Sequence, residues 1–277
     1  MQTPDKNAPI GVFDSGLGGL SAVRELRRIL PHENIVYFGD TGRVPYGTRG
    51  VETIVQYAKQ DIAFLRAQHV KFILAACGTV SSTLPKSVSD ALEIPYCGVV
   101  ASTAAAAAKA SKSGRIGVIG TPATIQSGSY NKAIASLLPS AQITATSCPL
   151  FVPLVENGYF GADNAVTTLV AQDYLTDVKR ADVDTLILGC THYPLIQPIL
   201  AKIMGSKVTL IDAGREAAIA AKNALTQHNL LCDGTNSGTA SYFVSDSTES
   251  FAKFSAWFLG EYAGGSVTQI DIEQYTL

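Results

Sequence analysis

The chain has 277 residues, enough for one large domain or two of ordinary size. Apolar residues make up 47% and charged residues 16%, which excludes a disordered or collagen-like chain and supplies a sizeable core. Lys plus Arg total 21 against 23 Asp plus Glu, so no basic field exists for a polyanion and nucleic acid is not an expected partner.

The start of the chain, Met1 to Pro9, is polar and runs directly into a strand-like stretch, so no signal peptide is expected. The longest nearly apolar run, Ile94 to Ala108, is rich in small residues and broken by Ser and Thr, so no membrane span is expected. Five cysteines stand at 77, 97, 148, 190 and 232, an odd count at irregular spacings with no CxxC. They read as free thiols in a reducing compartment, and the expected location is the cytoplasm. Cys190 and His192 have no second ligand pair, so no metal site is expected.

Strand-like runs follow in order: Ile10–Phe13, Ile35–Phe38, Phe72–Ala76, Cys97–Val100, Arg115–Ile119, Gln142–Ala145, Thr185–Leu188, Val208–Ile211 and Ser241–Val244. Between them lie helical stretches such as Gly19–Leu30, Val51–Gln68 and Glu216–Thr226. Apolar strands separated by helices predict an α/β fold with parallel sheets covered on both faces. In such sheets ligands sit at the carboxyl ends of strands.

Those ends carry an internal echo. The first strand ends in Asp14-Ser15-Gly16 and the fifth in Gly120-Thr121-Pro122. The third ends in Cys77-Gly78-Thr79 and the seventh in Cys190-Thr191-His192. Two matches in the same order predict a duplicated unit: two similar α/β domains, related by a pseudo-twofold, facing a shared cleft. The expected division is residues 1–99 plus 208–277 for the first domain and 100–207 for the second.

Most cysteines are buried small hydrophobes, and Cys97, Cys148 and Cys232 keep that reading. Cys77 and Cys190 differ, since each ends an apolar strand and is followed by hydrogen-bonding groups. His192 beside Cys190 can favour a thiolate at neutral pH, where a lone thiol has a pKa of about 8.5. One thiol–imidazole pair is compatible with acyl transfer; a second cysteine in a facing half-site favours two-base proton transfer at carbon. The glycine-rich Asp14–Leu20 stretch either offers backbone N–H groups to an anion or is a strand-to-helix turn capped by Asp14. Pro45-Tyr46-Gly47 is loop-forming and can expose amides, and Glu156 alone reads as a solvent-facing helix residue. His32, His69 and His228 read as surface residues.

These stretches together resemble the glutamate racemases of the cofactor-independent aspartate/glutamate racemase superfamily. The likeness runs through Phe13–Leu20, Tyr37–Thr41, Arg43–Gly47, Gly117–Thr121, Cys148–Pro153 and Gly189–Leu195. It implies interconversion of L- and D-glutamate without metal or cofactor, supplying D-glutamate for peptidoglycan, in a chain that forms a homodimer. It assigns Cys77 and Cys190 as acid/bases on opposite faces of the α-carbon. Asp14 would assist Cys77, and His192, held by Glu156, would assist Cys190. Ser15, Pro45, Tyr46, Gly47, Gly78, Thr79, Thr121 and Thr191 would form the substrate-binding set. The short stretch before the first strand implies no activation by a cell-wall precursor.

Two positions depart from the family pattern. Gly78 stands where the family has an Asn whose amide contacts substrate, a difference worth roughly 1.5–3 kcal/mol if that bond is simply lost. Val100-Ala101-Ser102-Thr103 replaces a charged residue followed by Pro-Gly, with its expected effect at the domain crossover. Gly78 leaves three readings: a glutamate racemase weakened at this point, a related isomerase for another acidic substrate, or a carboxylate-binding relative without catalysis.

Overall fold

The computed structural model describes residues 5–249 and 251–277; the first four residues of the polar start fall outside it. Ten strands are present among the described residues: β1 (Ile10–Asp14), β2 (Ile35–Gly39), β3 (Phe72–Ala75), β4 (Tyr96–Gly98), β5 (Arg115–Gly120), β6 (Gln142–Ser147), β7 (Thr185–Leu188), β8 (Thr209–Asp212), β9 (Ala240–Val244) and β10 (Val267–Gln269). They form two sheets, ordered β10-β9-β2-β1-β3-β4 and β6-β5-β7-β8. Every pairing is parallel.

The order β2-β1-β3-β4 in the first sheet repeats as β6-β5-β7-β8 in the second. Under this correspondence β1 matches β5 and β3 matches β7, so the echo in the sequence is a repeat of topology. β1, β2 and β3 are buried along their whole length, as expected where helices cover both faces.

The nine strands expected from the sequence are all present, with ends shifted by a residue or two. The largest local difference is at β4, where Val99 and Val100 begin the helix Val99–Ala110 instead of extending the strand. No Pro or Gly interrupts residues 99–110, and Thr103 returns its hydroxyl to the Val99 carbonyl at 2.5 Å. The continuous helix carries the chain across to the second sheet. β10 has no counterpart in the sequence reading, because Val267-Thr268-Gln269 is too short and polar to stand out.

Beyond Lys207, the expected end of the second domain, β8 pairs with β7 in register Thr185↔Thr209 through Leu188↔Asp212. The second sheet therefore extends to Asp212. The chain then returns through the helix Ala213–Gln227, capped by Asp212, whose carboxylate accepts from the Gly214 and Arg215 amides. This helix packs on both the first-sheet helix Leu20–Ile29 and the crossover helix Val99–Ala110.

At the amino ends of the first sheet lies a buried ion pair. Lys71 Nζ is 2.5 Å from Glu33, and the two side chains are 0% and 3% exposed. Lys71 also donates to the Lys6 carbonyl, and Glu33 accepts from the Cys232 amide. Removing one partner leaves the other charge buried and unpaired, whereas removing both does not. Lys71→Met is expected to lower stability by about 3–5 kcal/mol in urea unfolding. The double variant Lys71→Met/Glu33→Gln is expected to regain part of that loss; additive losses in the cycle would contradict this account.

Candidate active site

The carboxyl ends of β1, β3, β5 and β7 converge on one cavity of about 360 Å³ between the two sheets. Cys77 stands two residues beyond β3, at the N-cap position of the helix Gly78–Thr83. Cys190 stands two residues beyond β7, at the corresponding place in the second sheet. Both are nearly buried, at 4% and 8% exposure, and both line the cavity.

Twelve of the thirteen expected site residues border this cavity: Ser15, Pro45, Tyr46, Gly47, Cys77, Gly78, Thr79, Thr121, Glu156, Cys190, Thr191 and His192. Asp14 does not. It lies behind Ser15, and its Oδ2 accepts from the Gly16 and Gly19 amides at 3.2 and 3.0 Å. Those amides are therefore turned inward to the carboxylate and are not offered to an anion. The capped-turn reading of this stretch describes it. Asp14 Oδ1 is buried with no hydrogen-bond partner among the described residues, and burial raises the carboxyl pKa against the pull of His192 and the backbone amides.

The Cys77 thiol donates to Ser15 Oγ at 3.6 Å, and the Val80 and Ser15 backbone also bears on the sulfur. Burial, reinforced by the Asp14 charge, pushes the thiol up to about 12, so Cys77 rests protonated at neutral pH. The second half-site is built differently. His192 Nδ1 lies 3.9 Å from Cys190 Sγ, and its Nε2 lies 3.1 Å from Glu156 Oε1. Burial disfavours the imidazolium, but its bonds to Cys190 and Glu156 outweigh that and raise His192 to about 10. Phe258 packs edge-on against the imidazole, with ring centroids 5.4 Å apart. Glu156 ends the helix Phe151–Glu156, and this placing at the helix end is what brings an ordinary surface residue to the site.

A line of hydroxyls crosses between the halves. Thr79 Oγ1 lies 3.0 Å from Thr121 Oγ1, which donates in turn to Thr124 Oγ1 at 3.0 Å. No Lys or Arg is among the residues lining the cavity. A bound carboxylate would therefore be recognised by hydroxyls and backbone N–H groups. No group of three or more His, Cys, Asp or Glu with metal-binding geometry occurs among the described residues.

Sequence reasoning missed part of the wall. Cys148, Pro149, Val152 and Pro153 form an apolar side of the cavity. Cys148 is buried, as its apolar setting in the sequence predicts, and its thiol pKa is raised by burial and by Cys190. The run Cys148–Pro153 held the signal, as a Pro-punctuated apolar segment directly after a strand.

A family model described as Asp/Glu/Hydantoin racemase matches residues 11–221. A glutamate racemase from Geobacter metallireducens is 42% identical over 264 residues, covering 95% of this chain and 97% of its own length. The chain belongs to the Asp/Glu/hydantoin racemase family. Among solved structures of the family, a glutamate racemase isoform from Bacillus anthracis superposes with a TM-score of 0.91 at 38% identity, over 96% of this chain and 98% of that one. The Francisella tularensis glutamate racemase, solved in complex with D-glutamate, gives 0.90 at 36% identity, over 98% of this chain and 100% of that one.

Within this family fold, Gly78 has a physical reason. A Cβ at residue 78 would drive into the carbonyl oxygen of Gly189, on the strand end that carries Cys190. The backbones of the two half-sites approach too closely there for any side chain. Gly78 is thus part of how the halves meet, and an Asn cannot be introduced without moving one of them. Gly18 makes a similar approach, against Thr191 and His192. Gly78→Ala is expected to cost about 1–3 kcal/mol through overpacking, read as a fall in Tm. An unchanged Tm would show that the Gly189 carbonyl yields freely.

Proposed function

We propose that this chain is a glutamate racemase that interconverts L- and D-glutamate, with Cys77 and Cys190 as the two acid/bases. The observation that carries this reading is the pair of cysteines at the ends of equivalent strands, β3 and β7, bordering one cavity. A carbon held between them presents one face to each sulfur.

The half-sites differ at rest: Cys77 is a thiol, and a protonated His192 lies against Cys190. In one direction Cys190, acting as the base, takes the α-proton as a thiolate and becomes a thiol, leaving a carbanion. The Cys77 thiol then delivers its proton to the opposite face and becomes the thiolate. Each pass inverts the carbon and exchanges the roles of the sulfurs, so protons must equilibrate with solvent or the next pass runs in reverse. The carbanion is stabilised by the dry cavity and by fixed hydrogen bonds. Ser15, Thr79, Thr121 and Thr191 supply the hydroxyls, and Pro45, Tyr46, Gly47 and Gly78 supply backbone groups.

Asp14 supports Cys77 from behind Ser15 by its charge and by holding the Gly16–Gly19 turn. Glu156 acts through His192. The same reading has D-glutamate feeding peptidoglycan synthesis, a homodimeric chain, and two domains, divided at the crossover helix and again after β8. No helix of the described residues is long and apolar enough to cross a membrane, which is compatible with work in the cytoplasm.

Incubation with L-glutamate in deuterium oxide tests the reaction. Loss of the α-proton by NMR together with optical inversion by circular dichroism is expected, with either Cys77→Ser or Cys190→Ser lowering inversion at least about a hundredfold. Retained inversion in either variant would remove the two-thiol mechanism. The pH profile tests Glu156. His192 loses its proton above about pH 10, so kcat/KM is expected to fall there. Glu156→Gln removes a carboxylate that favours the imidazolium, which lowers the His192 pKa and moves that alkaline limb to lower pH. A limb left in place would exclude Glu156 from this role.

A further inference from the structure

One wall of the cavity is the loop from Val44 to Thr48. Beneath it, away from the sulfurs, lies a cluster of buried charges that the two-thiol reaction does not use. Asp40 follows β2, Asp61 lies on the helix Val51–Ala67, and both side chains are fully buried. The Tyr46 hydroxyl is in close hydrogen-bond contact with Asp40 Oδ2 and lies 3.2 Å from Asp61 Oδ2.

Arg43 ties the cluster together. Its Nε donates to Asp40 Oδ2 at 2.7 Å and its Nη2 to Asp61 Oδ1 at 3.4 Å. Its Nη1 donates to Gln60 at 2.5 Å and to Glu273 of the C-terminal turn at 3.2 Å, and the guanidinium lies 4.0 Å from the Tyr57 ring centre. Ser245, after β9, donates to Asp40 Oδ1 at 2.7 Å.

Counting protons decides how these groups are arranged. The Tyr46 hydroxyl has one proton, and its closer contact gives that proton to Asp40. Asp61 Oδ2 then faces the Tyr46 oxygen, and two acceptors at that separation require a proton between them. Only Asp61 can carry it. A neutral Asp61 also balances the cluster, leaving Asp40 as the single fully buried anion against Arg43, while Glu273 is two-thirds exposed to solvent.

We propose that Asp61 is a positioning residue: as a neutral carboxylic acid it donates to Tyr46, which donates to Asp40, and this chain clamps the Val44–Thr48 wall in its substrate-binding shape. Burial raises the Asp61 pKa, Asp40 and the more distant Asp14 act in the same direction, and Arg43 and the Tyr46 hydrogen bond oppose them without reversing the rise. Gln60, Tyr57 and Tyr46 are neutral neighbours, and Glu273 adds negative charge from the C-terminal side.

The Asn and Leu replacements separate the possibilities. Asp61→Asn keeps a donor toward Tyr46 and an acceptor toward Arg43, whereas Asp61→Leu keeps neither. Amide hydrogen exchange at residues 44–48 is expected to accelerate about tenfold in Asp61→Leu and to stay within about threefold in Asp61→Asn, the scale set by losing one buried hydrogen bond. Tyr46→Phe, which deletes the middle hydroxyl, is expected to match Asp61→Leu and serves if the Leu variant does not fold. Infrared difference spectra of wild type minus Asp61→Asn at neutral pH are expected to show a deuterium-sensitive carboxylic acid C=O band. The kinetic arm rests on the glutamate reading: KM rises about tenfold in Asp61→Leu, with kcat changed less than about threefold, and the Asn variant restores it. Asn and Leu variants that loosen the loop equally, or no carboxylic acid band, would overturn the neutral Asp61. Unchanged exchange in the Leu and Phe variants would overturn the clamp. A wild type without glutamate turnover would instead sink the proposed activity, and the exchange and infrared arms would still decide the role of Asp61.

Discussion

The approach of two strand ends across the interior, Gly78 after β3 and Gly189 after β7, governs the rest of the site. With no side chain at residue 78, the Gly189 carbonyl comes into contact with the opposite backbone. That contact draws Cys77 and Cys190 to the two sides of one cavity. The Thr79–Thr121 hydroxyl contact spans the same gap, and Ser21 donates to the Thr191 carbonyl at 3.1 Å nearby. Each is a small group, because a large one would hold the halves apart. A cavity without Lys or Arg follows from the same constraint: a cationic side chain buried there without a bound anion would be strongly destabilising. Gly78 therefore also sets the distance between half-sites.

The half-sites share topology and differ in electrostatics. On the Cys77 side, burial and a carboxylate neighbour both oppose a thiolate. On the Cys190 side, an imidazolium held by Glu156 lies against the sulfur. Duplication supplies two sulfurs in equivalent places, and the chain gives them different neighbours. For the proposed two-thiol reaction this difference has a use, since one group must begin as base and the other as acid.

Around this centre, the first sheet carries extra structure that the second lacks. β9 and β10 extend it, and the segment after β10 returns Ile272 to the core and Glu273 to Arg43. The C-terminal turn therefore braces the loop that forms a wall of the cavity. A remote part of the chain is thereby joined to the cavity wall through a few hydrogen bonds.

Much of this was legible in the sequence for definite reasons. Parallel strands buried on both faces must be continuous apolar runs, so Val12-Phe13 and Leu186-Ile187-Leu188 announce themselves. Ligand-facing residues must follow such strands, so Ser15, Cys77, Thr121 and Cys190 could be named from position alone, and the family resemblance added Glu156. The sequence by itself determined the class of fold, its duplication and nearly all of the cavity-lining polar groups. Tertiary structure decided what depends on residues distant in the chain: the place of β8, paired to β7 by register; the inward turn of Asp14; the exclusion of a side chain at residue 78 by Gly189; and the cluster joining Asp40, Asp61, Arg43 and Glu273. The physical reason is range. Periodicity and turn chemistry act over a few residues, whereas packing distance, burial and shared protons are set by groups that meet only after the chain has folded.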